Sequence, residues 1–163
     1  MPKADHEPNI LPSVLDRLLD DDPGVSREPP SARYSNVRKL KNSVARDLEA
    51  MLNTRQETLT ELSSDFTETS RSLLTYGLPD FTAFNLMSQT DRTRIRRALE
   101  QTIASFEPRL KRVRVNLEAP RQNDRSIRFR VEALLPLDPA PEVVTFDTVL
   151  QLHTQQYVVK GQS

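Results

Sequence analysis

The chain has 163 residues, and its apolar share of 36% lies below the roughly 45–50% usual for soluble domains, so one modest core is expected, with partners supplying further support. The absence of cysteine excludes disulfides and thiolate metal or nucleophile chemistry, and two distant histidines, His6 and His153, argue against a histidine-based metal site or triad. The 23 Lys+Arg and 23 Asp+Glu cancel, yet residues 1–81 carry 10 basic and 14 acidic side chains while residues 82–163 carry 13 and 9, so the two halves are electrically complementary.

Arginine supplies 18 of the 23 basic residues, and its planar fork suits bidentate pairing with carboxylates better than lysine does. The start, MPKADHEPN, lacks the apolar core of a signal peptide, and no run approaches the roughly 20 apolar residues of a membrane span. The expectation is a cytoplasmic protein that neither inserts in a bilayer nor is exported by itself.

Half of the prolines fall within the first 30 residues, beside the acidic run Asp20-Asp21-Asp22, and residues 1–35 read as a mostly flexible leader. A short helix at 13–20 interrupts it. Ser13 is placed to cap that helix, Val14, Leu15, Leu18 and Leu19 share one side, and Pro23-Gly24 follows. Two turns do not stand alone in water, so this piece must dock, either on its own domain or on another protein.

Residues 36–163 read as a single α+β domain. Val37, Leu40, Val44, Leu48, Met51 and Leu52 make a helical stripe behind a capping Ser35 or Asn36. An ordered connection with one helical turn near Ser72 follows, and Tyr76-Gly77-Leu78-Pro79 demands a turn. From Ser88 a second long helix carries Ile95, Leu99, Ile103 and Phe106 on one face and arginines largely elsewhere, until Pro108 stops it.

The period then changes from 3.6 to 2. Val113, Val115 and Leu117 alternate with polar residues, Pro120 to Arg125 supply a turn, and Ile127, Phe129, Val131, Ala133 and Leu135 form the next alternation. A third strand from about Val143 to Leu152 points Val144, Phe146, Thr148, Leu150 and Leu152 inward, with QQYVVKG extending it past a bend. The expected fold is N-terminal helices followed by a C-terminal antiparallel meander of three to four strands.

Four features are candidate sites. Residues 92–130 hold 12 Lys+Arg against 4 acids, which raises nucleic acid. However, only Phe129 among the aromatics is interleaved with the strand arginines and no recognition helix is visible, so the cluster reads as a solvated or protein-facing basic side. Paired carboxylates for glycoside cleavage would have to come from residues such as Asp80, Glu107 and Glu132, and no motif selects a pair. The three glycines, at 24, 77 and 161, build no phosphate loop. No catalytic residue, metal or cofactor is expected.

The third feature is Glu107-Pro108-Arg109. Pro108 is either a plain helix stop between solvated charges, or a rigid corner that holds an acid and a bidentate arginine in set directions toward a partner. The fourth is the third strand, whose Phe146, Leu150 and Leu152 lie along an edge that is either covered within the chain or open to strand addition.

Several segments together resemble one family. SVLDRLLDDDP at 13–23, SVARDLEAMLNTR at 43–55, YGLPDF at 76–81, FEPRL at 106–110 and FRVEALL at 129–135 follow, in that order, the pattern of TssE, the baseplate subunits of type VI secretion systems, which are related to the small wedge protein of contractile-phage baseplates. The resemblance spans about residues 11–153 and departs at Ala45 and Ala50, where basic or bulky aromatic residues are frequent. It implies a structural assembly role rather than an enzymatic one, within a cytoplasmic baseplate docked at the inner membrane complex. The implied partners are the TssF and TssG wedge subunits, with TssK as a further candidate, and sheath subunits met through the C-terminal sheet edge. On that likeness Glu107, Pro108 and Arg109 would contact the helical core bundle of the wedge; Val14, Leu15, Leu18 and Leu19 are candidate contacts on their amphipathic pattern alone. The family has also been labelled lysozyme-related, so a peptidoglycan-cleaving enzyme is the alternative, with a nucleic-acid-binding protein behind it.

Overall fold

A computed structural model describes residues 10–19, 24, 36–57, 68, 69, 72–118, 126–151 and 156–161. Within them, helices α1 (Val14–Leu18), α2 (Val37–Leu52) and α3 (Gln89–Phe106) precede strands β1 (Lys111–Leu117), β2 (Ser126–Leu135), β3 (Glu142–Gln151) and β4 (Gln156–Gly161). Helices come first and an antiparallel sheet second, the α+β order expected from the change of hydrophobic period.

Each long helix begins where a side chain satisfies an amide that the helix itself cannot. Asn36 Oδ1 accepts the Lys39 amide at 2.8 Å to open α2, and Ser88 Oγ accepts that of Asp91 at 3.4 Å to open α3. Their apolar stripes then turn the same way: Leu40, Val44, Leu48, Met51 and Leu52 of α2 and Ile95, Leu99 and Ile103 of α3 are buried in one core. At roughly 1.5–3 kcal/mol for each fully buried large apolar side chain, this shared core is what holds both helices to the sheet.

Between the helices, a 3₁₀ turn at Leu73–Thr75 is capped by Ser72, where a single turn was expected. Gly77 then adopts φ of +102°, and a Cβ there would stand 2.3 Å from the Thr54 carbonyl oxygen. That close approach lets Leu78 run beside the end of α2: the Leu78 amide donates to the Thr54 carbonyl and the Gln56 amide to that of Leu78, each at 2.8 Å. Tyr76 packs edge-on to Phe106, with ring centres 5.3 Å apart, and so ties this connection to the end of α3.

The sheet has the order β1-β2-β3-β4, each neighbour antiparallel. Period-2 alternation turns Val115, Phe129, Val131, Ala133, Leu135, Val144, Phe146, Tyr157 and Val159 to the core. The opposite face carries a polar row across all four strands, Asn116, Arg130, Asp147 and Lys160, within which Arg130 Nε donates to Asp147 at 2.7 Å. One face is therefore packed and the other charged, as in a half-solvated antiparallel sheet.

One strand expectation is corrected. QQYVVKG does not prolong the third strand: Gln156–Gly161 returns as β4, paired with β3 from Phe146 to Gln151. The return buries Tyr157 and Val159 on the α2 side, which an extension of β3 would not do, and it makes β3 an interior strand paired on both sides. The expected turn at 120–125 lies outside the described residues.

Candidate functional site

The helix-to-strand corner is built by the end of α3 and the start of β1. The Glu107 amide completes the last turn of α3 by donating to the Ile103 carbonyl at 2.8 Å, while Pro108 has no N–H to continue it. The chain turns at once, with the Leu110 amide donating to the Glu107 carbonyl at 3.1 Å. Leu110, buried beneath the corner, leads into β1.

This turn folds the arginine back on the acid. Arg109 Nε donates to Glu107 Oε1 at 2.7 Å and Nη2 to Oε2 at 2.5 Å, a bidentate pair in which Glu107 is only 5% exposed. The same guanidinium also donates from Nη2 to Asp47 at 2.5 Å and from Nη1 to Ser43 Oγ at 3.1 Å, so it reaches across to α2. With Glu107 as the main cause and Asp47 added, against the opposing effect of burial, Arg109 is held even more firmly protonated than usual. Burial, then the charges of Asp47 and Glu107, push the nearby Tyr76 phenol upward. The expectation that Glu107 and Arg109 aim outward as gripping groups thus meets a different arrangement: their charges are spent on each other and on α2, and Pro108 is the exposed member of the motif.

The network continues to α1. Ser13 and Asp16 form a reciprocal cap, with the Asp16 amide donating to Ser13 Oγ at 3.1 Å and the Ser13 amide donating to Asp16 Oδ2 at 3.2 Å. Ser43 Oγ donates to the Asp16 carboxylate at 2.7 Å and Arg46 Nη2 donates to it at 2.7 Å, while Arg46 also holds Asp47 at 2.8 Å. Burial opposes ionisation of Asp16, but hydrogen bonds from Ser13, Ser43 and Arg46 outweigh it and lower its pKa to about 2. Three carboxylates, Asp16, Asp47 and Glu107, therefore share two guanidiniums, Arg46 and Arg109, through Ser43.

Of the two docking routes open to α1, its polar side takes the one on its own domain. Its apolar residues do not follow: Val14, Leu15, Leu18 and Leu19 are 73, 50, 76 and 45% exposed. Anchored by a carboxylate, the helix turns its apolar stripe to solvent.

Other candidates separate. Phe146, expected among contact residues, is 1% exposed on the inner face of β3 and is a core residue. Leu150 is described in its backbone alone, paired with Ile127 and Tyr157, and Leu152 lies outside the described residues. Asp80 is held by Arg55 at 2.5 Å and Glu132 by Asn116 at 3.2 Å, so Asp80, Glu107 and Glu132 each have their own local partner. Of the arginines, Arg92, Arg109 and Arg130 bond within the chain, whereas Arg96 and Arg97 are exposed on α3.

Sequence reasoning did not single out Asp16, Ser43, Arg46 and Asp47. The available signal was Ser43 and Asp47, polar residues at i and i+4 on the flank of the apolar stripe of α2. None of the described helices is long and apolar enough to cross a membrane.

The family described as baseplate wedge protein gp25 matches the chain over residues 38–140, a span that runs from α2 through the corner to β2 and includes every partner of Arg109. Searches of curated proteins and of solved structures gave no match.

Proposed function

The chain belongs to the baseplate wedge protein gp25 family, of which TssE is a member, and from a structural role in a baseplate we propose that it is a TssE-type subunit of a type VI secretion baseplate. In this reading it is a non-enzymatic wedge component in the cytoplasm, within a baseplate docked at the inner membrane complex. It joins TssF and TssG, with TssK as a further neighbour, and offers its C-terminal sheet to the first sheath subunits.

The observation that carries this reading is the outward apolar stripe of α1, held in place by Asp16 on Ser43 and Arg46. A helix this short has no reason to expose Val14, Leu15, Leu18 and Leu19 while its one acidic residue is tied down, unless another surface covers them. Helical partner segments fit such a stripe through i, i+1, i+4 and i+5 contacts. The corner of Glu107, Pro108 and Arg109 serves the same contact differently: the bidentate pair sets the angle between α3, β1 and α2, and Pro108 is the part that meets the wedge.

Co-purification tests the reading. Leu15→Asp with Leu18→Asp should leave thermal unfolding close to the parent and reduce recovery of TssF and TssG at least tenfold. Unchanged recovery of both subunits would remove α1 from the wedge contact.

A further inference from the structure

An antiparallel sheet with two outer strands has two edges, and here helix side chains occupy both. On β4, Asn53 Oδ1 accepts the Tyr157 amide at 2.7 Å and Nδ2 donates to the Tyr157 carbonyl at 2.9 Å. Glu49 Oε2 accepts the next outward amide, that of Val159, at 3.2 Å. The carboxamide of Asn53 thereby offers Tyr157 the same donor and acceptor that a residue of an added strand would offer. Asn53 stands at the C-cap of α2, where Nδ2 also donates to the Glu49 carbonyl at 2.8 Å, so both side chains act from the last turn of one helix.

The β1 edge is closed in another way. Glu100 accepts the Val115 amide at 2.9 Å, and Arg92 donates to the carbonyls of Leu117 at 3.3 Å and Glu118 at 3.1 Å. This strand also carries a register shift between Lys111 and Arg114, with Arg112 at φ of +53°, and such a bulge bends an edge away from further pairing. The pairing of β4 with β3 runs unbroken over six residue pairs. Beside β4 lies an open groove of about 560 Å³, in which Ala45 and Ala50 stand among the polar Asn42, Arg46, Glu49 and Asn53 along α2, with Val159 on the β4 side.

We propose that Asn53 and Glu49 are a guard that keeps the β4 edge closed in the isolated chain, and that an extended segment of a partner must displace them to pair with Tyr157 and Val159 in the groove along α2. The identity of that segment as part of a sheath subunit rests on the baseplate reading; the guard does not. The edge stays closed to chance pairing and opens only to a segment whose backbone competes with these two side chains.

The full chain tests this without a partner. Asn53→Ala should speed amide hydrogen exchange at Tyr157 and Glu49→Ala at Val159, each by about tenfold or more, with Val131 in the sheet interior unchanged as the sign that the fold persists. The double variant should also self-associate at concentrations where the parent is monomeric by sedimentation. Exchange at Tyr157 and Val159 equal to the parent, with Val131 protected, would overturn the guard, as would a double variant that stays monomeric. Addition of purified sheath subunits supplies a separate arm. Faster association with the double variant than with the parent supports displacement, and equal rates of association overturn it. If neither protein takes up sheath subunits, the baseplate reading of the partner fails while the exchange and sedimentation results still decide the guard.

Discussion

Arg109 Nη2 reaches the Asp47 carboxylate at 2.5 Å, joining the α3-to-β1 corner to α2 across 62 positions of sequence. Its other contacts, with Glu107 and Ser43, make it the one group in this network that touches both sides of that junction. Removing it strands a carboxylate that is 5% exposed, and breaking a buried pair from one side is among the costly single changes. Because Arg109 itself is only half-buried, Arg109→Ala should cost roughly 2–3 kcal/mol in denaturant unfolding rather than the full value for a sealed pair. Arg109→Lys keeps the charge and loses the fork, so it should recover less than half of that loss. A variant as stable as the parent would show that the corner is not held by this arginine.

The Gly77 turn carries the next expectation. With φ of +102° and the Thr54 carbonyl oxygen 2.3 Å from any Cβ, alanine meets both a disfavoured conformation and a clash with backbone that cannot rotate away. Gly77→Ala should lower stability by about 2 kcal/mol or more and loosen the connection at the Leu78 amide, visible as faster hydrogen exchange there. Parent-like unfolding would mean that the turn can be rebuilt without the left-handed residue.

How far these features are legible in the sequence depends on whether they are periodic. The stripe from Leu40 to Leu52 and the alternation from Phe129 to Leu135 repeat at the spacing of their element, and cap residues such as Asn36 and Ser88 mark where the helices begin. The independence of β4 is not legible in this way: His153-Thr154-Gln155-Gln156 contains no glycine, proline or asparagine to announce a reversal, so QYVVKG reads as a continuation of the strand before it. The corner is only half legible. Pro108 signals the stop, but a glutamate beside a helix-ending proline is ordinarily solvated, and its burial follows from Asp47 and Ser43 arriving from a helix more than fifty residues earlier. Long-range pairing of this kind leaves no local pattern. The guard on β4 is hidden for the same reason, since Asn53 reads as a helix C-cap, a role it also fills.

The anchoring of α1 should depend on acid. Asp16 has its pKa lowered from 3.8 to about 2 in the folded chain, so its ionised form is the one that the docked helix stabilises. A depressed value contributes stability that is complete above the unfolded pKa near 4 and is lost as pH falls through the folded value near 2. Discounted for solvent screening, the contribution is about 1–2 kcal/mol. Hydrogen exchange of the Arg17 amide, which donates to Ser13 at 3.1 Å, should therefore rise relative to the intrinsic rate between pH 4 and pH 2 before the β2–β3 amides respond. Asp16→Asn should show that raised exchange already at neutral pH. A flat profile in the parent, or an unaffected Asp16→Asn, would detach α1 from this network.

Thr148 offers a change in the opposite direction. It is 1% exposed on the inner face of β3, in register with Phe129 of β2 and Val159 of β4, and its Oγ1 finds no hydrogen-bond partner among the described residues. A buried hydroxyl without a partner costs on the order of 1–3 kcal/mol, and valine has nearly the same shape without the polar atom. Thr148→Val should raise stability by about 1 kcal/mol and shift the denaturant midpoint upward with the slope unchanged. Because the side chain faces the core and not the groove beside β4, the substitution should leave exchange at Tyr157 and association with wedge subunits at parent values. A destabilised Thr148→Val would mean that the hydroxyl is satisfied, and that the inner face of β3 is held by a polar contact rather than by packing alone.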